Sequence, residues 1–321
     1  MPPAKRRSRP RVVALAGGVG GAKLSEGLAA HLGSRLSIVV NTGDDVERHG
    51  LLVMPDHDTV LYNLAGIEQV GLGWGIEGDT HTAFAQMAVY GEPDWFRLGD
   101  RDLALHIVRT ARLRAGDRLT DVCLAAQASL GLEARILPMT ETPVRTQVRT
   151  PDGWLDFQDY FVRRRQEPEV REVRFAGIAD AGPTPEVLDA LASAGLVVIC
   201  PSNPFVSIDP ILAVPGMREA IDAARRRGAP VAAVSPIIGG RAIKGPADRM
   251  LALMGAESSA AGVARRYRDL VDLFAFDVID EDTADMVVAA IPRTLMTNTI
   301  MGDDASRARF AGELLAAASV D

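Results

Sequence analysis

Cysteine is nearly absent from this chain of 321 residues: Cys123 and Cys200 are the only two, far apart and each inside an apolar run. That scarcity excludes a disulfide framework, and both thiols read as reduced core residues of a cytosolic protein. Long apolar runs are missing as well. None approaches the roughly 18 to 20 residues that span a bilayer, so no membrane partner is expected. Excess positive charge is lacking, since the formal net charge is −7. A nucleic-acid binder usually carries a basic footprint to neutralise phosphates, whereas a single small anionic ligand needs only a local basic site. Nucleic acid is therefore not an expected partner. The basic start, with Lys5, Arg6, Arg7, Arg9 and Arg11, has no apolar segment of signal-peptide length behind it. Residues 1–10 are expected to form a disordered, solvated leader, and the chain is expected in the cytoplasm.

What is present is an alternation of strand and helix signals. Residues 12–16 form a short apolar run, residues 23–32 have helical spacing, and residues 36–40 are rich in β-branched side chains. That order is a βαβ unit. The pattern resumes later, where the apolar runs 196–200 and 230–234 flank a helical stretch over 217–227. Two such blocks predict a Rossmann-like α/β fold, with one parallel sheet and a long insertion. The insertion, about residues 80–132, carries amphipathic helical patterns and almost no strand signal. Helix caps are expected at Asp100 and Asp117. Around Pro151-Asp152-Gly153 the alternation over 144–157 predicts a small β-hairpin, and residues 304–318 read as a closing helix. The expected organisation is a single domain over 11–321 with the helical insertion inside it.

Between the first strand and first helix stands Gly17-Gly18-Val19-Gly20-Gly21. Glycine there permits positive φ and close approach of backbone amides to a phosphate, and the helix dipole favours an anion. A plain tight turn is the alternative. The segment lacks the Gly-Lys-Ser/Thr ending of a P-loop, and its glycine spacing differs from the dinucleotide fingerprint, which disfavours a kinase, an NTPase or a dehydrogenase. Lys23, one turn into the helix, can reach a phosphate or face water.

The second strand runs into Asn41-Thr42-Gly43-Asp44-Asp45, and Pro55-Asp56-His57-Asp58-Thr59 opens the next helical pattern. Ligands of open α/β sheets bind beyond the carboxyl ends of such strands. Carboxylates crowded beside a phosphate turn would repel the ligand unless a hard cation lies between them, so a divalent metal is expected, Mg²⁺ by its habit of taking one or two carboxylates plus phosphate oxygens. Of the four aspartates on this edge, Asp44, Asp45 and Asp58 are the expected ligands and His57 stays outside that set; the alternative is that Asp44 and Asp45 make a turn while Asp58 caps a helix. In the helix opened by Leu98-Gly99-Asp100-Arg101-Asp102, the residues Asp102, His106 and Arg109 share one face. Arg101 can clamp an anion, or the helix can simply carry an internal ion pair. Farther on, two strands end in the stiffened polar loops Pro201-Ser202-Asn203-Pro204 and Ser235-Pro236-Ile237-Ile238, which should open on the same edge as the glycine turn.

Taken in order, these segments resemble the 2-phospho-L-lactate transferase family of coenzyme F(420) biosynthesis, whose bacterial members include phosphoenolpyruvate transferases. Trp74-Gly75-Ile76, Phe157-Gln158-Asp159 and Leu295-Met296-Thr297 extend the match along nearly the whole chain. Two departures stand out: His57 sits where a Leu is common, and Leu105 precedes His106 where the family often has Thr.

The resemblance implies a Mg²⁺-dependent enzyme that transfers a phospho-acyl group from a guanosine diphosphate-linked donor to the terminal hydroxyl of 7,8-didemethyl-8-hydroxy-5-deazariboflavin (Fo), releasing GMP. It implies a homodimer. Carried onto this sequence, Gly17, Gly18, Gly20, Gly21 and Lys23, with Ser202, Asn203 and Pro204, would hold the donor's phosphates and nucleoside. Asp45 and Asp58 would bind metal or help deprotonate the hydroxyl, and Asp58 with Arg101 would face Fo. A related group of nucleotide-sugar-binding metabolic regulators shares the glycine turn and paired aspartates, and is the non-catalytic alternative.

Overall fold

The computed structural model describes residues 10–69, 71 and 73–318. Most of the basic leader, with Lys5, Arg6, Arg7 and Arg9, thus lies outside the described residues. Seven parallel strands form the central sheet: β1 (Arg11–Ala16), β2 (Leu36–Val40), β3 (Arg135–Pro138), β4 (Ala194–Ile199), β5 (Val231–Val234), β6 (Leu273–Asp277) and β7 (Thr294–Thr297). Their spatial order is β7-β6-β5-β4-β1-β2-β3. The chain winds outward from β1 through β2 to β3, returns to the other side of β1, and winds outward again. Between β1 and β4 the winding direction reverses, and the crevice beyond their carboxyl ends is where such sheets bind ligands.

Burial follows from the period-2 alternation of strands. Val13 and Leu15 of β1 join Val197 and Ile199 of β4 in the core on one face. Val12, Ala14 and Ala16 join Leu196, Val198 and Cys200 in the core on the other. Both faces of each strand are apolar, as a parallel sheet covered by helices on both sides requires. Helix α1 (Gly18–Leu32) buries Ala22, Leu24, Leu28 and Leu32 on the second face. The closing helix, Asp304–Ala318, lies against it and adds Phe310 and Leu314. Burial pushes the Cys200 thiol up to about 12, so it stays protonated as a core residue should.

Between β2 and β3 the chain makes a short antiparallel pair, Val46–Arg48 with Leu51–Val53, and then α2 (Pro55–Leu64), α3 (Thr82–Val89), α4 (Asp100–Arg114) and α5 (Leu119–Ser129). The caps of α3 and α4 differ from those expected. Asp100 accepts from the amides of Thr82 (3.0 Å) and Ala83 (2.9 Å), and so caps α3 rather than its own helix. Asp79 caps α4 through the amides of Arg101 (2.9 Å) and Asp102 (3.1 Å). Asp117 instead takes Arg112 Nε at 2.6 Å. The crossed pair Asp79 and Asp100 ties the starts of both helices together and thereby sets the position of α4.

The expected hairpin is present, with Arg145–Thr150 against Gly153–Asp156, and an unforeseen third strand, Glu172–Ala176, pairs along its other side. No described helix is long and apolar enough to cross a membrane.

Close approach at the crevice generates a stability prediction. A Cβ on Gly20 would run into the Pro201 backbone carbonyl, which has no rotamer by which to yield. Gly20→Ala should destabilise the fold by about 1–3 kcal/mol in urea unfolding; an unchanged midpoint would mean that β1 and β4 are not this closely joined.

Candidate active site at the strand crossover

The glycine turn is held by the protein before any ligand arrives. Ser202, just past β4, donates its hydroxyl to the Gly17 carbonyl (2.8 Å) and accepts from the Gly17 amide (3.2 Å). Among the four glycines only Gly18 has positive φ, at 62°. The others are glycine because of neighbours. A Cβ at Gly17 would lie 2.7 Å from Ser207 Cβ, and one at Gly21 would lie 2.7 Å from Ser202 Oγ. The Gly18 amide is already taken by Asp56 Oδ1 at 2.7 Å. The first-turn amides of Val19 and Gly20 have no partner within a helix by construction, and both residues line the cavity described below.

Asp56 is the residue of this cluster that sequence reasoning passed over. Its second oxygen accepts from Asn41 Nδ2 at 2.9 Å, while Asn41 Oδ1 accepts from the Gly43 amide at 2.8 Å. One asparagine therefore fixes both the loop after β2 and the carboxylate at the start of α2. Burial pushes the Asp56 carboxyl up to about 6. Asp44 is raised as well, first by burial and then by repulsion from Asp56. One Asp44 oxygen is buried without a hydrogen-bond partner. Two buried, mutually repelling carboxylates with an unsatisfied oxygen, beside free helix-start amides, fit a hard divalent cation such as Mg²⁺.

Asp45 and Asp58 occupy different surroundings. Asp45 is 5% exposed and does not line the cavity; burial raises its carboxyl, with Arg145 and Arg109 opposing. Asp58 is buried in an ion pair with Arg109, whose Nη1 lies 3.0 Å from Oδ2 and whose Nη2 bonds Oδ1. His57 Nδ1 lies 3.0 Å from Oδ1, and His106 Nδ1 lies 3.6 Å from Oδ2. Burial alone would raise the Asp58 carboxyl, but the Arg109 guanidinium and the His57 hydrogen bond hold it well below the usual carboxylate range. So deep an acid is a poor proton acceptor.

The face of α4 foreseen from its spacing is assembled, and its other members finish the cluster. His106 Nε2 approaches Asp102 Oδ1 at 3.3 Å, and the Tyr62 hydroxyl donates to that same oxygen at 2.5 Å. Asp102 Oδ2 is outside both contacts. Asp58, Asp102 and His106 also lie close enough to share an ion. The Arg109 charge already bonded to Asp58 makes that a poorer cation site than Asp44 with Asp56.

Part of this cluster lines one cavity of about 940 Å³. Of the expected ligands, Gly17, Gly18, Gly20, Lys23, Ser202 and Asn203 line it, as do Asp44 and Asp58. Gly21, Pro204, Asp45 and Arg101 do not. Arg101 is exposed and donates to the Glu77 carbonyl at 3.1 Å; the guanidinium beside Asp58 belongs to Arg109. The Ser202 hydroxyl is used in clasping Gly17, and Asn203 Oδ1 accepts from the Phe205 amide at 3.0 Å. Aromatic side chains also line it: Trp95, Phe96, Phe157 and Phe161, and Trp74 in the loop whose Gly73 packs on Val19 of the glycine turn. The Arg48 guanidinium lies 3.9 Å over the Trp95 ring, and Phe157 stacks on Phe161. The cavity thus combines polar groups at the strand crossover with aromatic walls from residues 95–96 and 157–161.

Comparison with known proteins places the chain in context. The family model described as 2-phospho-L-lactate transferase CofD matches residues 12–299. A phosphoenolpyruvate transferase of Kitasatospora aureofaciens is 42% identical over 316 residues, covering 96% of this chain and 98% of that one. A 2-phospho-L-lactate transferase of Methanosarcina mazei is 40% identical over 296 residues, covering 90% and 95%. A crystal structure of a UPF0052 family protein from Bacillus halodurans is similar with a TM-score of 0.65 at 15% identity, covering 96% of this chain and 99% of that one. At that identity the likeness concerns the fold alone.

The buried Asp58–Arg109 pair also yields a quantity to measure. Half-exposed pairs such as Arg112–Asp117 contribute below about 1 kcal/mol, but Arg109→Met would strand a buried carboxylate and should cost about 3–5 kcal/mol. The double variant Arg109→Met with Asp58→Asn should recover part of that loss in chemical denaturation. No recovery would mean that Arg109 acts through packing rather than charge.

Proposed function

The chain belongs to the 2-phospho-L-lactate transferase family, and from that membership we propose how its cavity performs the family's transfer in coenzyme F(420) biosynthesis. Fo is the acceptor and a guanosine diphosphate-linked phospho-acyl compound the donor. The observation that carries the reading is one cavity lined both by phosphate-suited groups of the glycine turn and by aromatic side chains, on a chain that matches these transferases along nearly its whole length.

At the strand crossover, the Val19 and Gly20 amides and the Lys23 ammonium receive the donor's phosphates. Asp44 and Asp56 are the residues that would hold Mg²⁺, which supplies charge neutralisation to the phosphate oxygens when bound. The deazaflavin ring lies against Trp95 and Phe157, with its ribityl chain running past Asp58 toward the glycine turn. The terminal hydroxyl oxygen bonds to the phosphorus that bears the acyl group, the bond from that phosphorus to the GMP oxygen breaks, and the hydroxyl proton goes to Asp102 Oδ2. Tyr62 orients Asp102 through its other oxygen, which His106 also approaches. Asp58, held ionised by Arg109, shapes the acceptor half instead of taking the proton. No protein nucleophile is required, since such transfers depend on positioning and electrostatics.

Purified protein with Mg²⁺, Fo and a guanylated donor should release GMP and form a deazaflavin phosphodiester. Asp102→Asn should lower kcat by roughly 10²- to 10⁴-fold with little change in the donor KM. Absence of product with lactyl, enolpyruvyl and glyceryl donors, while Fo still binds, would overturn the assignment.

The metal ligands have a readout apart from turnover. The Asp56 carboxyl is at about 6 in the fold against an ordinary 3.8, so its burial cost is absent at low pH and is added as pH rises through that interval. A cation relieves this cost only once the proton has left. Mg²⁺ should therefore raise Tm more at about pH 7.5 than at about pH 5, and Asp44→Asn should remove most of the difference. Equal shifts at both pH values would place the metal elsewhere.

A further inference from the structure

Lys23 is not the only ammonium group lining the cavity. Lys244 lines the same cavity from the other half of the chain. It lies between the antiparallel pair Ile237–Ile238 with Arg241–Ala242 and the helix Ala247–Leu253. Both ends of this segment are anchored. The Gly239 amide donates to Asp280 Oδ1 at 2.9 Å, and Ser258 Oγ donates to the Gly240 carbonyl at 3.0 Å. At the other end, Asn203 Nδ2 contacts Met250 Sδ at 3.4 Å. Between these anchors Lys244 Nζ donates to the Gly71 carbonyl at 2.6 Å, in the loop that follows α2. A side chain from beyond β5 thus bridges to a loop from the first half of the fold. Gly245 has φ of 74° and no atom of the described residues within reach of a Cβ, so its glycine serves the backbone path beside Lys244.

Lys23 stands on the other side, its Nζ donating to the Met301 carbonyl at 3.0 Å. Burial, then repulsion from Arg307 and from Lys244, depresses the Lys23 ammonium. Each lysine is bonded to a backbone carbonyl, a weaker acceptor for a cation than a phosphate oxygen. An anion between them would remove their repulsion. It would also bring negative charge close to Asp44 and Asp56, against which a second lysine counts.

Resting on the reading of a guanosine diphosphate-linked donor, we propose that Lys244 is a second ligand of the donor's phosphates. Its ammonium exchanges the Gly71 carbonyl for a phosphate oxygen and, with Lys23, brackets the diphosphate. Lys244 then contributes to donor affinity and not to Fo affinity, because its ammonium lies near that of Lys23, whereas Fo is proposed to lie against Trp95 and Phe157.

Calorimetric titration of the full chain with GDP, and separately with Fo, in the presence of Mg²⁺ tests this. Lys244→Met should weaken GDP binding roughly ten- to a hundredfold, the worth of a hydrogen bond to a charged group. Lys244→Arg should restore most of it, and Fo binding should stay within about twofold of wild type in both variants, on the scale where tenfold is about 1.4 kcal/mol. In turnover, Lys244→Met should raise the donor KM more than it lowers kcat. Unchanged GDP affinity in Lys244→Met overturns the proposal, as does loss of GDP and Fo binding together, which would mark the residue as structural. Wild-type protein that binds Fo but not GDP would instead remove the donor reading on which the proposal rests.

Discussion

The Ser202 hydroxyl, bonded at once to the carbonyl and the amide of Gly17, joins the ends of β1 and β4 where the winding of the sheet reverses. The cavity depends on this clasp. Because Gly20 and Gly21 carry no side chain, the Pro201-Ser202 loop can lie directly on the first turn of α1. That contact places the first turn of α1, where Val19 and Gly20 line the cavity, at the floor on which the donor is proposed to lie. A residue with a side chain at either glycine would separate the two halves of the sheet at the point where they must meet.

Around this floor, charge is sorted by neighbourhood and not by sequence distance. Asp44 and Asp56 are raised by burial, Asp44 also by repulsion from Asp56, and they are the pair proposed to hold the cation. Asp58, two residues from Asp56, has Arg109 bonded across both oxygens and is a permanent anion. Asp102 differs from both, since one oxygen accepts from Tyr62 while the other has no hydrogen-bond partner among the described residues. Three kinds of carboxylate thus arise from one cluster, and the proposed division into metal ligand, fixed anion and proton acceptor follows from what each one touches.

Much of this was legible in the sequence where the signal is local. The first βαβ unit, the hairpin at Pro151-Asp152-Gly153 and the closing helix follow from periodicity and turn chemistry. β3 was not read, being four residues long and ending in Pro138, and β7 is equally short. Within the site, Asp44 and Asp45 are adjacent, and which one reaches the cavity is set by the backbone turn that returns the Asp45 amide to the Thr42 carbonyl. The guanidinium on Asp58 is that of Arg109, and its signal in the sequence is the recurrence of Asp102, His106 and Arg109 at helical spacing on one face, outside which Arg101 falls. The Asp58–Arg109 pair spans 51 positions, and no local pattern announces it. The glycines were read as space for a phosphate, whereas three of the four are required first by the protein's own contacts.

The central claim is that one cavity holds donor and acceptor side by side, with Asp58 between them. It is tested most directly by titrating the intrinsic fluorescence of Fo into the protein with Mg²⁺, with and without saturating GDP. The account predicts that Fo binds the GDP-loaded protein with an affinity within a few fold of the free protein, because the two ligands occupy different halves. Strict competition, with the apparent Kd of Fo rising in proportion to GDP, would contradict it.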